Sequence, residues 1–312
     1  MRTVNSTMAL HIDCDNLWAY ENEYSIPTSN KQARIYEESL ARFLEIAEEI
    51  SVKLTFFIIG DDLQLSACRQ FCEKAIKAGH KIANHTLTHP VKFTSMSGAE
   101  IADEIRLCDE KITQALGIKA IGFRAPGYYL SQDTLVALRD LGYRYDSSVL
   151  PGFSHYLMYL YQYINGGVKS GKAFGRAAFI FASRGVRQFP GGNPNSPLYE
   201  LPVATFPYLR FPIHMTFAFM LGNSYLKHSL EAIKKNKSHH IFLFHAIDLL
   251  NKPVDSKVGE LPTFKYSVTE RESMVREVMR AAKEIGNLLT EDYVCELDAL
   301  KIPKTILLDK CI

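Results

Sequence analysis

Lys81-Ile-Ala-Asn-His85-Thr-Leu-Thr-His89-Pro90 is the stretch on which the fold turns. A short apolar run ends in two imidazoles four residues apart, and a proline follows at once. The residue before a proline is disfavoured in the helical region, so the pattern predicts a strand running into a tight turn. On such a turn both rings can converge on one point at the strand's C-terminal end. Neutral imidazole is a common ligand of zinc and its neighbours. Two histidines do not make a site, because such pairs also occur on solvated surfaces. A third ligand is needed.

The same rhythm extends in both directions. Upstream, Met8–Asp13 alternates apolar and polar residues and leads into Asp13-Cys-Asp15. Gln32–Ile50 carries a helical stripe of Ile35, Leu40, Phe43, Leu44, Ala47 and Ile50, and Leu54–Gly60 reads as a buried strand before a helix over Ala67–Ala78. Downstream, Ser97-x-x-Glu100 is a capping box opening a helix that Gly117 closes. A strand at Ala120–Arg124, a helix at Ser131–Leu141 and a short strand at Arg144–Asp146 follow. The rhythm breaks there and resumes with a helix near Tyr225–Lys235, the apolar strand Ile241–His245, and a helix from a second capping box, Thr269-x-x-Glu272, to about Leu289. Strands alternating with helices predict a parallel sheet, and their repetition suggests a barrel. The expectation is one α/β domain over 1–312 with 150–225 inserted. Asp13, Asp15, His85, Arg124, Asp146 and His245 all fall at or just past a strand's C-terminal end, the side on which barrels carry their chemistry.

Composition bounds the class. The chain has 312 residues, 47% apolar and 22% charged, with a net charge of +2, so it can bury a large core and gives no argument for nucleic acid. Cys14, Cys68, Cys72, Cys108, Cys295 and Cys311 form no paired spacing and read as thiols of a reducing compartment. No apolar run is long enough to cross a bilayer, and no secretory leader is visible. The expected location is the cytoplasm, including the inner face of the membrane.

The polar residues group into five motifs: His11-Ile-Asp13-Cys-Asp15, His85-Thr-Leu-Thr-His89, Arg124-Ala-Pro126-Gly127-Tyr128, Tyr145-Asp146-Ser147-Ser148 and Leu243-Phe-His245. In this order the chain resembles the polysaccharide deacetylases with a NodB-homology domain, carbohydrate esterase family 4. The resemblance covers residues 8–148 and 225–300. Its first motif departs from the usual adjacent aspartates by one inserted residue, a form found in a subset of the family. Positions i and i+2 of a strand share a face, so both carboxylates can reach one cavity.

The resemblance implies a distorted (β/α) barrel with a long insertion, and a metal-dependent hydrolase that removes an N-acetyl or N-formyl group from an amino sugar. Asp15, His85 and His89 would hold Zn2+ or another divalent transition metal, with positions left open for water and substrate. Asp13 would be the general base and Arg124 its orienting partner. Gly127 would offer a backbone N–H to the oxyanion, next to Tyr128 on the substrate side. His245 would protonate the leaving amine, held cationic by Asp146, and Leu243 would line the pocket for the acyl methyl.

Other readings stay open. The same site could open a non-sugar amide or a ring ureide. Two histidines and a carboxylate also make the facial triad of mononuclear iron oxygenases, although here the carboxylate precedes the pair by some seventy positions. A non-catalytic sugar-binding module would need neither Asp13 nor His245. His80 and His239-His240 are read as exposed element ends, and His11 as support for the site.

Residues 151–225 differ in composition. Lys169, Lys172, Arg176, Arg184, Arg187 and Arg210 face a single acid, Glu200, and aromatics crowd the segment: Phe153, Tyr156, Tyr159, Tyr161, Tyr163, Phe206, Tyr208, Phe211, Phe217 and Phe219. This mixture suits a membrane interface or an anionic, polyprenyl-phosphate-linked amino sugar. The competing reading is a lid or a homo-oligomer contact whose aromatics are core.

Overall fold

Apolar runs bounded by polar residues become a parallel sheet. The strands are β1 (Thr7–Asp13), β2 (Leu54–Ile58), β3 (Lys81–Asn84), β4 (Gly122–Phe123), β5 (Tyr145–Asp146), β6 (Arg187–Gln188), β7 (Tyr199–Glu200) and β8 (His239–His245). The α-helices are α1 (Leu17–Glu23), α2 (Ala41–Ile50), α3 (Ser66–Lys77), α4 (Gly98–Leu116), α5 (Gln132–Asp140), α6 (Met215–Leu221), α7 (Asn223–Lys235), α8 (Val268–Ile285) and α9 (Thr290–Leu300). This computed structural model describes residues 6–23, 33–153, 182–189, 197–252 and 257–300. The strand order is β6-β7-β5-β4-β3-β2-β1-β8. β1 pairs in parallel with β2 and β8, as do β3 with β4, β4 with β5, and β5 with β7, while β6 lies antiparallel to β7.

The chain divides into two compact units. The first comprises residues 1–58, 62–82 and 213–289 and contains β1, β2, β8, α2, α3, α7 and α8. β1 is buried from Met8 onward and β2 throughout, as expected of strands covered on both faces. The stretch expected as one helix over Gln32–Ile50 begins instead as a π-helical segment, Ile35–Leu40, that runs straight into α2. The wider turn lets Tyr36 donate to Asp62 at 2.8 Å and Ser39 donate to the Ala246 carbonyl. The capping box expected at Thr269 lies two residues earlier, at Ser267. Its hydroxyl accepts the Glu270 N–H while the Glu270 carboxylate accepts the Ser267 N–H.

The second unit comprises residues 59–61, 83–212 and 290–312. α4 starts at the predicted Ser97–Glu100 box, buries Ile101, Ile105, Cys108 and Ile112, and stops at Gly117, whose φ of 68° suits a residue without Cβ. β6 and β7 add two strands inside the stretch where the sequence rhythm is lost. Each is two residues long, too short to carry a period.

Candidate active site

The His85–His89 turn is built by local hydrogen bonds. Asn84 Oδ1, at the end of β3, accepts the Thr86 N–H at 2.7 Å, and Thr86 Oγ1 accepts the His89 N–H at 3.1 Å. Thr88 donates its N–H and hydroxyl to the buried Glu104 carboxylate of α4, at 2.9 and 2.8 Å. Thr86 and His89 both adopt left-handed φ values, 68° and 50°, that non-glycine residues rarely hold. His89 therefore avoids the helical region as the proline requires, but through a left-handed rather than an extended conformation. Strain of this kind persists where surrounding bonds over-determine it.

His85 Nδ1 lies 2.7 Å from the Arg124 carbonyl oxygen. A carbonyl only accepts, so Nδ1 carries the proton and Nε2 keeps its lone pair, the tautomer a metal ligand needs. One ligand atom each from Asp15, His85 and His89 lie within 4.8 Å of one another, with Asp15 and His85 buried and His89 half-buried. Among the described residues this is the group whose spacing and donor types fit a divalent transition ion: one carboxylate and two imidazoles.

Asp13 ends β1, in register with His245 of β8 and Phe57 of β2. The Cys14 N–H donates to the Phe57 carbonyl at 3.0 Å, carrying the pairing one residue past the strand toward Asp15. Both aspartates are buried. The segment that follows is anchored by Asp62, which accepts from Asn16 Nδ2 (3.1 Å), Trp18 Nε1 (2.8 Å) and the Tyr36 hydroxyl. Sequence reasoning missed this anchor, because nothing in Asp61-Asp62 announces three donors arriving from distant positions.

At the end of β8, His245 and Asp248 hold each other reciprocally. Asp248 Oδ2 accepts the His245 N–H at 2.9 Å, and the His245 ring accepts the Asp248 N–H. The Thr216 hydroxyl lies 3.4 Å from His245 Nδ1, and the His214 ring centroid stands 6.4 Å from that of His245. Asp248 is buried, Oδ1 has no hydrogen-bond partner among the described residues, and burial pushes its carboxyl up to about 6 against the pull of His245 and Arg271. Asp248 was missed, although its position three residues after His245 has capping-box spacing. Leu243 is fully buried within β8, in register with His11.

In the second unit, Arg124 is fully buried and donates through Nε to the Ser147 carbonyl and through Nη2 to Ser147 Oγ, both at 2.8 Å. Asp146 is in register with Glu200, and its carboxylate accepts the Ser148 hydroxyl (2.6 Å) and N–H (3.1 Å). Pro126–Tyr128 form a 3-10 turn in which Gly127 and Tyr128 both have φ near 60°, a second point of backbone strain.

Two expectations are corrected. His80 is buried rather than exposed: the Leu54 N–H donates to its Nδ1 at 3.0 Å, and burial pushes its pKa down to about 4. Nor is His239-His240 an exposed end. His240 is buried, and His239 pairs with the Thr7 hydroxyl at 2.8 Å, with burial and His240 lowering it to about 3. His11 is fully buried, two residues before Asp13 on β1, with its ring centroid 5.0 Å from that of Phe57.

In the insertion, Phe217 and Phe219 are core residues of α6. Arg184 donates to Thr205, Arg187 to the Ser183 carbonyl, and Arg210 to the Ala182 carbonyl, so each helps to hold a local loop. Tyr208 and Leu209 are exposed, at 94% and 70%. Lys169, Lys172, Arg176, Tyr156, Tyr159, Tyr161 and Tyr163 lie outside the described residues.

Comparison with known proteins points one way. The family model for polysaccharide deacetylases matches residues 32–145. The chain is 27% identical over 101 residues to a peptidoglycan-N-acetylglucosamine deacetylase of Bacillus cereus, covering 32% of this chain and 46% of that one. It spans less than half the length of the curated relatives it matches, 45%, 35% and 46% for three of them. Among solved structures, a provisionally named polysaccharide deacetylase from Mycobacterium smegmatis matches with a TM-score of 0.65 at 15% identity, covering 100% of this chain and 97% of that one. Another from Pseudomonas aeruginosa PAO1 gives 0.61 at 12% identity, with 94% and 91% covered. At such identities the structural likeness establishes the fold, the α/β barrel type of these deacetylases.

Proposed function

We propose that this chain, similar over residues 32–145 to the polysaccharide deacetylases, is a NodB-homology deacetylase of carbohydrate esterase family 4 that removes an N-acetyl or N-formyl group from an amino sugar of a glycan or lipid-linked saccharide. The observation that carries this reading is the convergence of Asp15, His85 and His89 in a donor set suited to a divalent ion, with zinc as the proposed occupant. Such an ion supplies positive charge that polarises an amide carbonyl and acidifies water.

The chain's own residues do the rest. Asp13, buried at the end of β1, accepts the proton of the attacking water. Gly127, held in its left-handed turn, offers its N–H to the developing oxyanion. Arg124 orients the base, and Tyr128 and Leu243 border the substrate. His245 hands a proton to the leaving nitrogen. Its ring accepts the Asp248 N–H at rest, so protonation exchanges that contact for one to a carboxylate, and Asp248 Oδ1 is placed to receive it. Asp248 thus joins Asp146 in the proposed role of holding His245 cationic.

The substrate is proposed to be lipid-linked and met at the inner face of a membrane. The exposed Tyr208-Leu209 tip and the basic, aromatic composition of 151–225 support this. No helix among the described residues is long and apolar enough to cross a membrane.

The decisive experiment incubates purified protein with N-acetylated oligosaccharides and with polyprenyl-phosphate-linked amino sugars and reads the products by mass. Loss of one acyl group, abolished in His85→Ala together with metal content, is the expected result. Unchanged substrates in the presence of zinc would overturn the activity. Turnover of soluble sugars alone would overturn the lipid-linked substrate.

A further inference from the structure

Glu200 is the sole acidic residue of the 151–225 segment, and β7 brings it beside β5, in register with Asp146. The two side chains are 2% and 0% exposed. Glu200 Oε1 accepts the Val149 N–H at 3.0 Å, whereas Oε2 has no donor among the described residues. As register partners on adjacent strands, the two carboxyls stand side by side out of water. Two buried anions there would repel, so one of the pair keeps its proton and is a donor for the other.

The surrounding groups decide where that proton rests. Asp146 accepts twice from Ser148 and lies in the field of the Arg124 guanidinium. Glu200 accepts one backbone N–H and feels Arg187, its cross-strand partner on β6. The better-solvated anion is Asp146, and Glu200 keeps the proton, its carboxyl pushed well above the usual range by burial and by Asp146.

The chain of bonds continues toward the site. Ser148 Oγ, which donates to Asp146, accepts the Ala125 N–H at 2.8 Å. The preceding residue, Arg124, accepts His85 Nδ1 on its carbonyl. We propose that Glu200 is a positioning residue: as a neutral acid it donates to Asp146, and through Asp146 and Ser148 it fixes the Arg124–Gly127 segment on which His85 is set. Its effect on turnover rests on the deacetylase reading, while the shared proton does not.

Two measurements on the full chain separate these. Difference infrared spectroscopy should show a buried carboxylic acid carbonyl band that persists at neutral pH and disappears in Glu200→Gln. A wild type without the band, or a band surviving in Glu200→Gln, overturns the shared proton whatever the enzyme does. In turnover assays, Glu200→Ala should lower kcat roughly tenfold with KM little changed. Glu200→Gln, which can still donate to Asp146, should rescue most of that loss. The wild type should lose activity at alkaline pH as Glu200 ionises, and Glu200→Gln should keep it. A Gln variant as impaired as Ala, or an Ala variant indistinguishable from wild type in kcat and pH profile, overturns the positioning role. If the band behaves as expected but no variant deacetylates anything, the activity reading fails and the positioning role falls with it.

Discussion

Among the described residues two arginines are buried almost completely, Arg124 and Arg271, one in each unit, and they satisfy their charge in different ways. Arg271 of α8 donates to the carbonyls of Asp248 and Leu250 at 2.8 Å and of Tyr266 at 3.3 Å, with its guanidinium 5.0 Å from the Phe264 ring centroid. Its donors meet main-chain dipoles, and these fix the loop after β8. Arg124 also meets a carbonyl, that of Ser147, but its Nη2 donates to a side chain, the Ser147 hydroxyl; each arginine has a carboxylate in its field, Asp146 for Arg124 and Asp248 for Arg271. A guanidinium tied to carbonyls holds a backbone shape at any ordinary pH. One tied to a side-chain hydroxyl is coupled to whatever that side chain does.

Replacing each arginine tests this contrast directly. Arg124→Met should lower kcat about a hundredfold or more, because displacing the segment that sets His85 by a fraction of an ångström misaligns the reacting groups. Metal content should stay near one ion per chain. Arg271→Met should instead act on stability, by roughly 3 kcal/mol, since three buried carbonyls lose a donor at ~1 kcal/mol each. Its kcat per folded molecule should remain within a few fold of wild type, as denaturant titration and active-site counting would show. Equal effects of both variants on kcat would break the comparison.

A smaller effect sharpens it. Asp248, beside Arg271, has its carboxyl raised to about 6 by burial. In the unfolded chain it ionises near the ordinary aspartate value of about 4. Its contribution to stability is therefore complete below about 4 and is lost as pH rises through about 6. Asp248→Asn removes this dependence, so the variant should gain stability relative to wild type between pH 4 and 7, by about 3 kcal/mol. Melting curves that shift in parallel for both proteins across that range would show that Asp248 does not titrate there.

The smallest effect is expected at the surface. Tyr208→Ser with Leu209→Ser should leave Tm unchanged, since both side chains are already exposed, and should weaken binding to anionic liposomes severalfold. A wild type that does not bind such liposomes would remove the membrane reading.

Much of the site was legible along the chain. Asp13, His85, Arg124, Asp146 and His245 each terminate or immediately follow a strand, and a polar residue that ends an apolar run is visible locally. Glu200 and Arg271 were not legible in this way. Glu200 sits on a two-residue strand without a period, fifty-four positions from the aspartate it meets. Arg271 looks like an ordinary exposed residue of an amphipathic helix, and only the carbonyls of the β8 loop show that it is buried.

The sequence by itself determined the α/β class, the chain order of the candidate ligands and the turn that carries both histidines. It could do so because hydrophobic period, proline restriction and capping boxes act over a few residues. Only the tertiary structure decided which tautomer His85 adopts, that Asp248 pairs with His245, and that an acid from the insertion stands against Asp146. Those outcomes depend on strand register and on burial. Both come from packing between distant segments, and burial is what turns an ordinary carboxyl into one that keeps its proton.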